Sequence, residues 1–297
     1  MDITIVVPVY NRRECVRKVV DSIGVAYPLI LVDNGSDDGS DHVCKEIAAE
    51  RANTLFLSES RRGAAAARNK GLAACRTKWV YFFDSDDEFT GLPETWDEAA
   101  DMVCIPTSQY VGGRLKVRDY SPVAHPHVHV LNSMLNTLSM IFRTDFLREI
   151  GGWNSDCMIW NDWELGLRAL LQCPRVQWIT EKSYHVIRPH ADSITGVGLT
   201  GKVDEIVKSL GFAFEDIYNV AESDANRQRA FAALFYRCYI VSGVMMREGG
   251  AAEAAKVRGF IYDRFRVNGL SHRMGRMLQW ASSNGIRGVW RIALRIV

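Results

Sequence analysis

Three short apolar runs constrain this chain more than anything else in it: ITIVV at residues 3–7, LILV at 29–32 and WVYFF at 79–83. Each is nearly continuous rather than alternating, the pattern of a strand buried on both faces in a helix-covered sheet. Each runs into a polar cluster: Pro8-Val9-Tyr10-Asn11, Asp33-Asn34-Gly35-Ser36 and Asp84-Ser85-Asp86-Asp87. Helical patterns lie between them. Residues 13–23 carry Cys15, Val16, Val19, Val20 and Ile23 on one stripe. Residues 42–51 and the alanine-rich 64–75 follow, with a further strand near 54–57. Such alternation predicts an α/β fold, a mostly parallel central sheet flanked by helices, with right-handed crossovers. Ligands of open sheets sit beyond the carboxyl ends of the strands, so the three polar clusters can share one crevice.

Beyond residue 100 the pattern loosens. A strand is expected at 102–105 and an irregular hairpin and loop over 108–129. A helix is expected over 161–171, with Trp163, Leu167, Leu170 and Leu171 inward, and short strands at 176–179 and 184–187. From Lys202 the pattern is helical almost to the end, with Phe231, Leu234, Phe235, Cys238 and Val241 on one stripe. The expected division is a catalytic domain over 1–200 and a helical region over 201–297 for acceptor, membrane-surface or dimer contacts.

Composition narrows the partners. The 297 residues carry a net charge of +1, so nothing global points to nucleic acid. Residues 251–297, however, hold nine Lys/Arg against two Asp/Glu, while the first 250 hold 27 against 33. A basic tail on an acidic body fits an anionic partner. Arg287, Arg291 and Arg295 stand four apart, opposite Trp290, Ile292, Leu294 and Ile296, as in a helix lying on an anionic membrane, although a packing helix with a solvated edge has the same pattern. Seven scattered cysteines with no Cys-x-x-Cys read as reduced thiols. The opening MDITIVVPVY reads as a strand, not a signal peptide, and no apolar run reaches membrane-spanning length. The expected location is cytoplasmic, with contact at the inner face of a membrane.

Asp84 and Asp86 are two apart, so extended backbone points them to one side. Paired carboxylates there repel unless a cation joins them, and hard oxygens suit Mg²⁺ or Mn²⁺ held with substrate phosphates. A solvated acidic turn is the plainer alternative. Residues 63–69, GAAAARN, open a helix with small side chains, where an anion is favoured and Arg61, Arg62 and Arg68 can add charge. Close packing alone would also explain them. Asp162, flanked by Trp160 and Trp163 at a helix start, can be a partly desolvated general base or simply an N-cap. His185, Arg188 and His190 precede Asp192-Ser193-Ile194-Thr195, and one of them can reach a diphosphate or a metal.

Together the segments VPVYNRRE, LVDNGSDDGS, RRGAAAARNKGL, YFFDSDDE, GGWNSD, WNDWELGLRALL and RPHADSIT resemble the family 2 glycosyltransferases, in family order, across about residues 3–196. The resemblance implies a GT-A fold (Rossmann-like) and inverting transfer of one sugar from a nucleoside diphosphate sugar, commonly a UDP-sugar. The acceptor would be a hydroxyl on a glycan or lipid-linked chain of the cell surface. Pro8, Tyr10 and Asn11 would line the nucleotide pocket, Asp33 or Asn34 would meet the base, and Arg68 would lie near the nucleotide. Asp84 would face ribose or metal, Asp86 and His190 would bind Mn²⁺ or Mg²⁺, and Asp162 would be the catalytic base. Asn34 and Asn161 stand where many members carry acids. No Gln-x-x-Arg-Trp follows, which argues against processive synthesis. The competing classes are a sugar-phosphate nucleotidyltransferase and a nucleotide-sugar-binding protein without turnover. The first usually needs a glycine-rich loop where PVYNRRE stands.

Overall fold

The computed structural model describes residues 2–297 apart from 112, 119, 121, 123–124, 173, 188–197, 221–224 and 267–268. In chain order the first elements are β1 (Ile3–Val9), α1 (Arg13–Ile23), β2 (Leu29–Asp33), α2 (Ser40–Glu50), β3 (Thr54–Ser58), α3 (Ala64–Ala74) and β4 (Trp79–Phe82). Short pieces follow: β5 (Glu88–Phe89), β6 (Met102–Cys104), β7 (Ser108–Val111), β8 (Arg114–Val117), α4 (Pro126–Asn132), β9 (Met140–Arg143) and α5 (Thr144–Glu149). Then come α6 (Asn161–Leu171), β10 (Val176–Trp178), β11 (His185–Ile187), α7 (Val203–Tyr218), α8 (Ala225–Arg247), α9 (Ala251–Arg264), α10 (Gly269–Ser283) and α11 (Val289–Leu294).

Seven strands form the main sheet in the order β10-β6-β9-β4-β1-β2-β3. All its pairings are parallel except those of β9, which runs antiparallel between β4 and β6. A second sheet has the order β5-β11-β7-β8. The fully buried strands β1, β2 and β4 account for the apolar runs in the sequence. Ile3, Ile5, Val7 and Val9 face Val16, Val19 and Val20 of α1 and Ile47 of α2 within one core, which Trp79, Tyr81 and Phe83 extend. The opposite face of the sheet meets α3. That helix shows no apolar stripe because Ala65, Ala66, Ala67, Gly71 and Leu72 are all buried, and small side chains let its backbone approach β1.

Contacts divide the chain into two compact units, one of Met1–Pro122, Met134–Leu165 and Gln172–His190, the other of Val123–Ser133, Gly166–Leu171 and Ala191–Val297. They interleave, so a single cut at 200/201 does not describe them. In the helical unit α8 is the central rod: Leu234, Phe235, Cys238 and Val241 are buried as expected, but so are Ala233, Tyr236 and Tyr239 on other sides. A helix buried nearly all round is a core helix.

Three expectations are corrected. The irregular middle contains α4 as well as the β7–β8 hairpin. The strand β9 went unread, although Met140, Ile141 and Phe142 are fully buried in it. The last helix starts only at Val289, after Gly288 at φ 72, and ends at Leu294. It buries Val289 and Ala293, not a face of Trp290, Ile292, Leu294 and Ile296, because one turn-and-a-half of helix packs through positions i and i+4. No disulfide joins cysteines among the described residues. No helix among the described residues is long and apolar enough to cross a membrane.

Gly71 is where α3 and β1 touch. A Cβ added there would lie 2.3 Å from Val6 Cγ1. In an exposed helix Gly→Ala gains roughly 1 kcal/mol, but here overpacking should dominate. Gly71→Ala is expected to destabilise the protein by about 1–3 kcal/mol, read from its urea midpoint; an unchanged or raised midpoint would contradict this packing.

Candidate functional site

Topology opens a crevice before any side chain is considered. From β1 the chain steps outward to β2 and β3, then returns to β4 on the other side of β1. The order reverses between β1 and β4, which is where open α/β sheets bind ligands. Pro8 marks the split. Val9 O accepts from Asn34 N at 2.8 Å toward β2, and Val6 O from Phe83 N at 3.0 Å toward β4. Pro8, two residues on from Val6, faces the β4 side, where register pairing has ended at Val6 and Phe82. Its missing N–H therefore forfeits no ladder bond. A separate cavity of about 330 Å³, lined by Val25, Glu50 and Asn53 among others, opens at the opposite ends of the strands, away from these clusters.

Around the split the loops are tied by side chains. Tyr10 is 45% exposed. Asn11 holds φ +52. Its amide donates to Asp37 Oδ1 at 2.9 Å and accepts from Asp37 N at 3.0 Å. Asp33 accepts through Oδ2 from the N–H groups of Gly35 (3.1 Å) and Ser36 (3.3 Å), whereas its buried Oδ1 has no hydrogen-bond partner among the described residues. Asn34 is committed: its Nδ2 donates to the carbonyls of Glu59 (3.0 Å) and Arg61 (2.7 Å), and its Oδ1 accepts from Gly63 N at 2.8 Å. Its observed task is to hold the loop that leads into α3.

The centre of the site is a buried arginine. Arg68 on α3 lies with its guanidinium 4.3 Å from the Trp153 ring centroid, donates to Asp84 Oδ1 at 2.6 Å and to Asn161 Oδ1 at 3.2 Å. An isolated buried cation is costly and needs such partners. Asn161, where the family often has an acid, supplies a neutral acceptor, so the charge of Arg68 is matched by Asp84. Asp86 is also paired: Arg12 reaches its Oδ2 through Nε (3.2 Å) and Nη2 (3.1 Å).

Asp162 begins α6 beside Asn161, and its Oδ1 accepts from Trp163 N at 2.8 Å. Trp160, just before it, sits at φ +55, a conformation rare for a bulky side chain. Strain of this kind collects at functional positions. Burial pushes Asp162 above the usual carboxylate range; Arg68, the Trp163 N–H and Arg118 pull it down, and Asp84 adds a further upward push. Upward shift wins, as suits a proton acceptor.

The structure thus gathers Pro8, Tyr10, Asn11, Asp33, Asn34, Asp84 and Asp86 around the ends of β1, β2 and β4, and Arg68 links Asp84 to the Asn161–Asp162 helix start. His190 and Arg188 lie outside the described residues. His185 does not join the site. It is 1% exposed, stacked on Phe89 and Tyr81 at 5.0 and 5.5 Å, and burial lowers it to about 3, so it is a neutral core residue. Among the described residues no three His, Cys, Asp or Glu side chains cluster. Asp84 and Asp86 nevertheless offer hard oxygens on side chains 31% and 21% exposed. That donor set fits a Mg²⁺ or Mn²⁺ held by one or two carboxylates plus substrate phosphate.

Two supporting residues had been missed. Asn69 clamps the Gly152-Trp153 loop: its Oδ1 accepts from Trp153 N (2.9 Å) and its Nδ2 donates to Trp153 O (2.7 Å). Gly152 is required beneath it, since it holds φ +66 and an added Cβ would meet Asn69 Oδ1 at 2.7 Å. A polar residue on the face of α3 that carries Ala65 and Leu72 was the available signal. Arg12 had none, because its partner is 74 residues away.

Because folding raises the Asp162 pKa, its protonated form adds stability that is fully present below the unfolded-state value and is lost as pH rises through the folded value. Asp162→Asn mimics the protonated form and can keep the bond from Trp163 N. The variant is therefore expected to melt at or above the wild-type temperature at pH 8, with the gap closing as pH falls toward the unfolded-state value. A variant that is less stable at pH 8 than at pH 5, relative to wild type, would contradict the raised pKa.

Comparison with known proteins agrees with this fold. The family model described as glycosyl transferase family 2 matches residues 4–159. The minor teichoic acid biosynthesis protein GgaB of Bacillus subtilis is 26% identical over 209 residues, 62% of this chain and 23% of GgaB. The matches to curated relatives cover between 13% and 41% of those proteins' own length. The structure of S. aureus TarS in complex with UDP-GlcNAc superposes with a TM-score of 0.68 at 15% identity, covering 99% of this chain and 91% of that one. The mannosyltransferase PcManGT from Pyrobaculum calidifontis, in complex with GDP-Man and Mn²⁺, gives 0.57 at 15% identity, covering 99% and 86%. Both share the GT-A fold with this chain. With a family match over more than half its residues, the chain belongs to glycosyl transferase family 2.

Proposed function

We propose that the protein is an inverting glycosyltransferase that moves one sugar from a nucleoside diphosphate sugar, a UDP-sugar in our reading, to an acceptor hydroxyl in surface-polymer or glycolipid synthesis. The observation that carries this is the convergence of Asp84, Asp86, Arg68 and Asp162 on the switch point between β1 and β4. A UDP-GlcNAc complex of a structural neighbour and a teichoic acid relative support the donor and acceptor classes.

Within this reading Tyr10, with nearly half its surface free, stacks on the base. Asp33, with Oδ1 uncommitted, is better placed than Asn34 to accept the base N–H, and Asn34 fixes the loop. Asp86, with Asp84 beside it and His190 from the sequence, would hold Mn²⁺ or Mg²⁺, which would neutralise charge growing on the leaving diphosphate. Asp162 takes the proton from the acceptor hydroxyl as that oxygen attacks the anomeric carbon, the carbon–phosphate-oxygen bond breaks, and the centre inverts. The α3 N-terminus adds backbone N–H groups that favour an anionic donor.

A contact with the inner membrane face fits the helical unit, though not through a continuous helix over 286–297. On α10 the exposed Arg273, Arg276, Met277 and Trp280 form one stripe, with Trp280 62% exposed. No Asp or Glu follows Asp263, while seven arginines do. Cations beside an exposed indole fit an anionic interface.

Asp162→Asn is expected to bind UDP as wild type does while transfer falls about 10²–10⁴-fold, measured with radiolabelled nucleotide sugars and Mn²⁺; wild-type turnover would remove the base assignment. Wild-type protein should also pellet with vesicles rich in phosphatidylglycerol at low salt, and Trp280→Ala should weaken this. An absence of pelleting at low salt would dispose of the membrane contact.

A further inference from the structure

We propose that Arg12 is a displaceable counter-ion of Asp86, and that a divalent cation enters the site by exchanging places with its guanidinium. The inference rests on reading Asp86 as a cation ligand, but it concerns Arg12, to which the resemblance gives no role.

Two carboxylates of the acidic turn, Asp84 and Asp86, are neutralised in different ways. Arg68, partner of Asp84, has a side chain only 6% exposed, packed on Trp153 and bonded to Asn161. It cannot leave without exposing a buried cavity and stranding a charge. Arg12, partner of Asp86, has a side chain 25% exposed. Part-exposed pairs of this kind are weak and readily exchanged.

Arg12 Nη1 donates to Asn11 O at 3.0 Å, but most of the bonds that hold the main chain here do not involve the guanidinium. Arg12 N donates to Ser40 Oγ at 2.8 Å, and Asn11 N to Ser36 Oγ at 3.0 Å. Both ends of the Asn11 amide are engaged by Asp37. The side chain can therefore swing while the loop stays fixed. A guanidinium and a metal ion cannot share Asp86 Oδ2, where both Nε and Nη2 of Arg12 point. Arg12 thus relieves repulsion between Asp84 and Asp86 before a cation binds, and it lowers the affinity for the cation alone. Once released it remains at the mouth of the site as a forked donor suited to the donor's diphosphate. Cation and donor would then bind more tightly together than either does alone.

The test is Mn²⁺ binding to the full chain without nucleotide, followed by the electron paramagnetic resonance signal of free Mn²⁺. Arg12→Gln is expected to tighten Mn²⁺ binding by about fivefold, the upper range for loss of a part-exposed ion pair. Arg13→Gln, which removes the same charge one residue away, should change it less than twofold, and Arg12→Lys should fall between wild type and Arg12→Gln. Thermal melts establish that each variant is folded. If Arg12→Gln binds Mn²⁺ no better than wild type while Asp86→Asn loses it, the exchange is overturned and the cation site stands. If Asp86→Asn binds Mn²⁺ as wild type does, the cation reading fails and the exchange with it.

Discussion

One buried positive charge organises the sheet-bearing unit. Arg68 rises from α3 into a place from which water is largely excluded, and it is tolerable there only because Asp84, Asn161 and the face of Trp153 surround it. Those partners come from three separate stretches: the end of β4, the start of α6 and the loop after α5. Satisfying the arginine therefore docks all three. Asn69, one residue on, adds two hydrogen bonds to the backbone of Trp153. The Asn161–Asp162 helix start is positioned through the same knot, and Arg68 moderates the upward push that burial exerts on Asp162.

The sheet supplies the opening that this knot lines. Pairing of β1 with β4 stops at Val6 and Phe82, while pairing with β2 continues to Val9 and Asp33. The two strands part on one side only, and the polar turns after each face the gap. Proline at position 8 is compatible with that geometry because the lost donor points where no partner strand remains. The fold creates the crevice, and the acidic turn, Asn11 and Arg12 give it chemistry.

Family membership and fold leave the substrate to the details of the loops. The structural neighbours bind different nucleotides, UDP-GlcNAc in one and GDP-Man in the other, on frameworks that superpose on this one. In folds that host many activities, discrimination lies in side chains of the loops rather than in the sheet. The helical unit is a separate problem. Its core is α8, and Arg264, Arg266, Arg273, Arg276, Arg287, Arg291 and Arg295 are exposed along its last part.

Much of the fold was legible because burial on both faces leaves a one-dimensional trace: β1, β2 and β4 are apolar at nearly every position, and α1 carries its stripe at helical spacing. The strand-end clusters were legible for a related reason, since polar residues directly after a buried strand have few places to go but the sheet's carboxyl edge. Short elements were not. The strand β9 has four residues and runs against its neighbours, and a stretch that brief carries no period. The terminal helix showed the reverse error, because a regular spacing of arginines does not reveal where a glycine turns the chain. Above all, sequence alone determined which residues carry charge, but only the tertiary structure decided their partners. The bonds of Arg68 to Asp84 and Asn161, and of Arg12 to Asp86, join residues far apart in the chain; electrostatic compensation acts through space, and its energy depends on burial that no local pattern records.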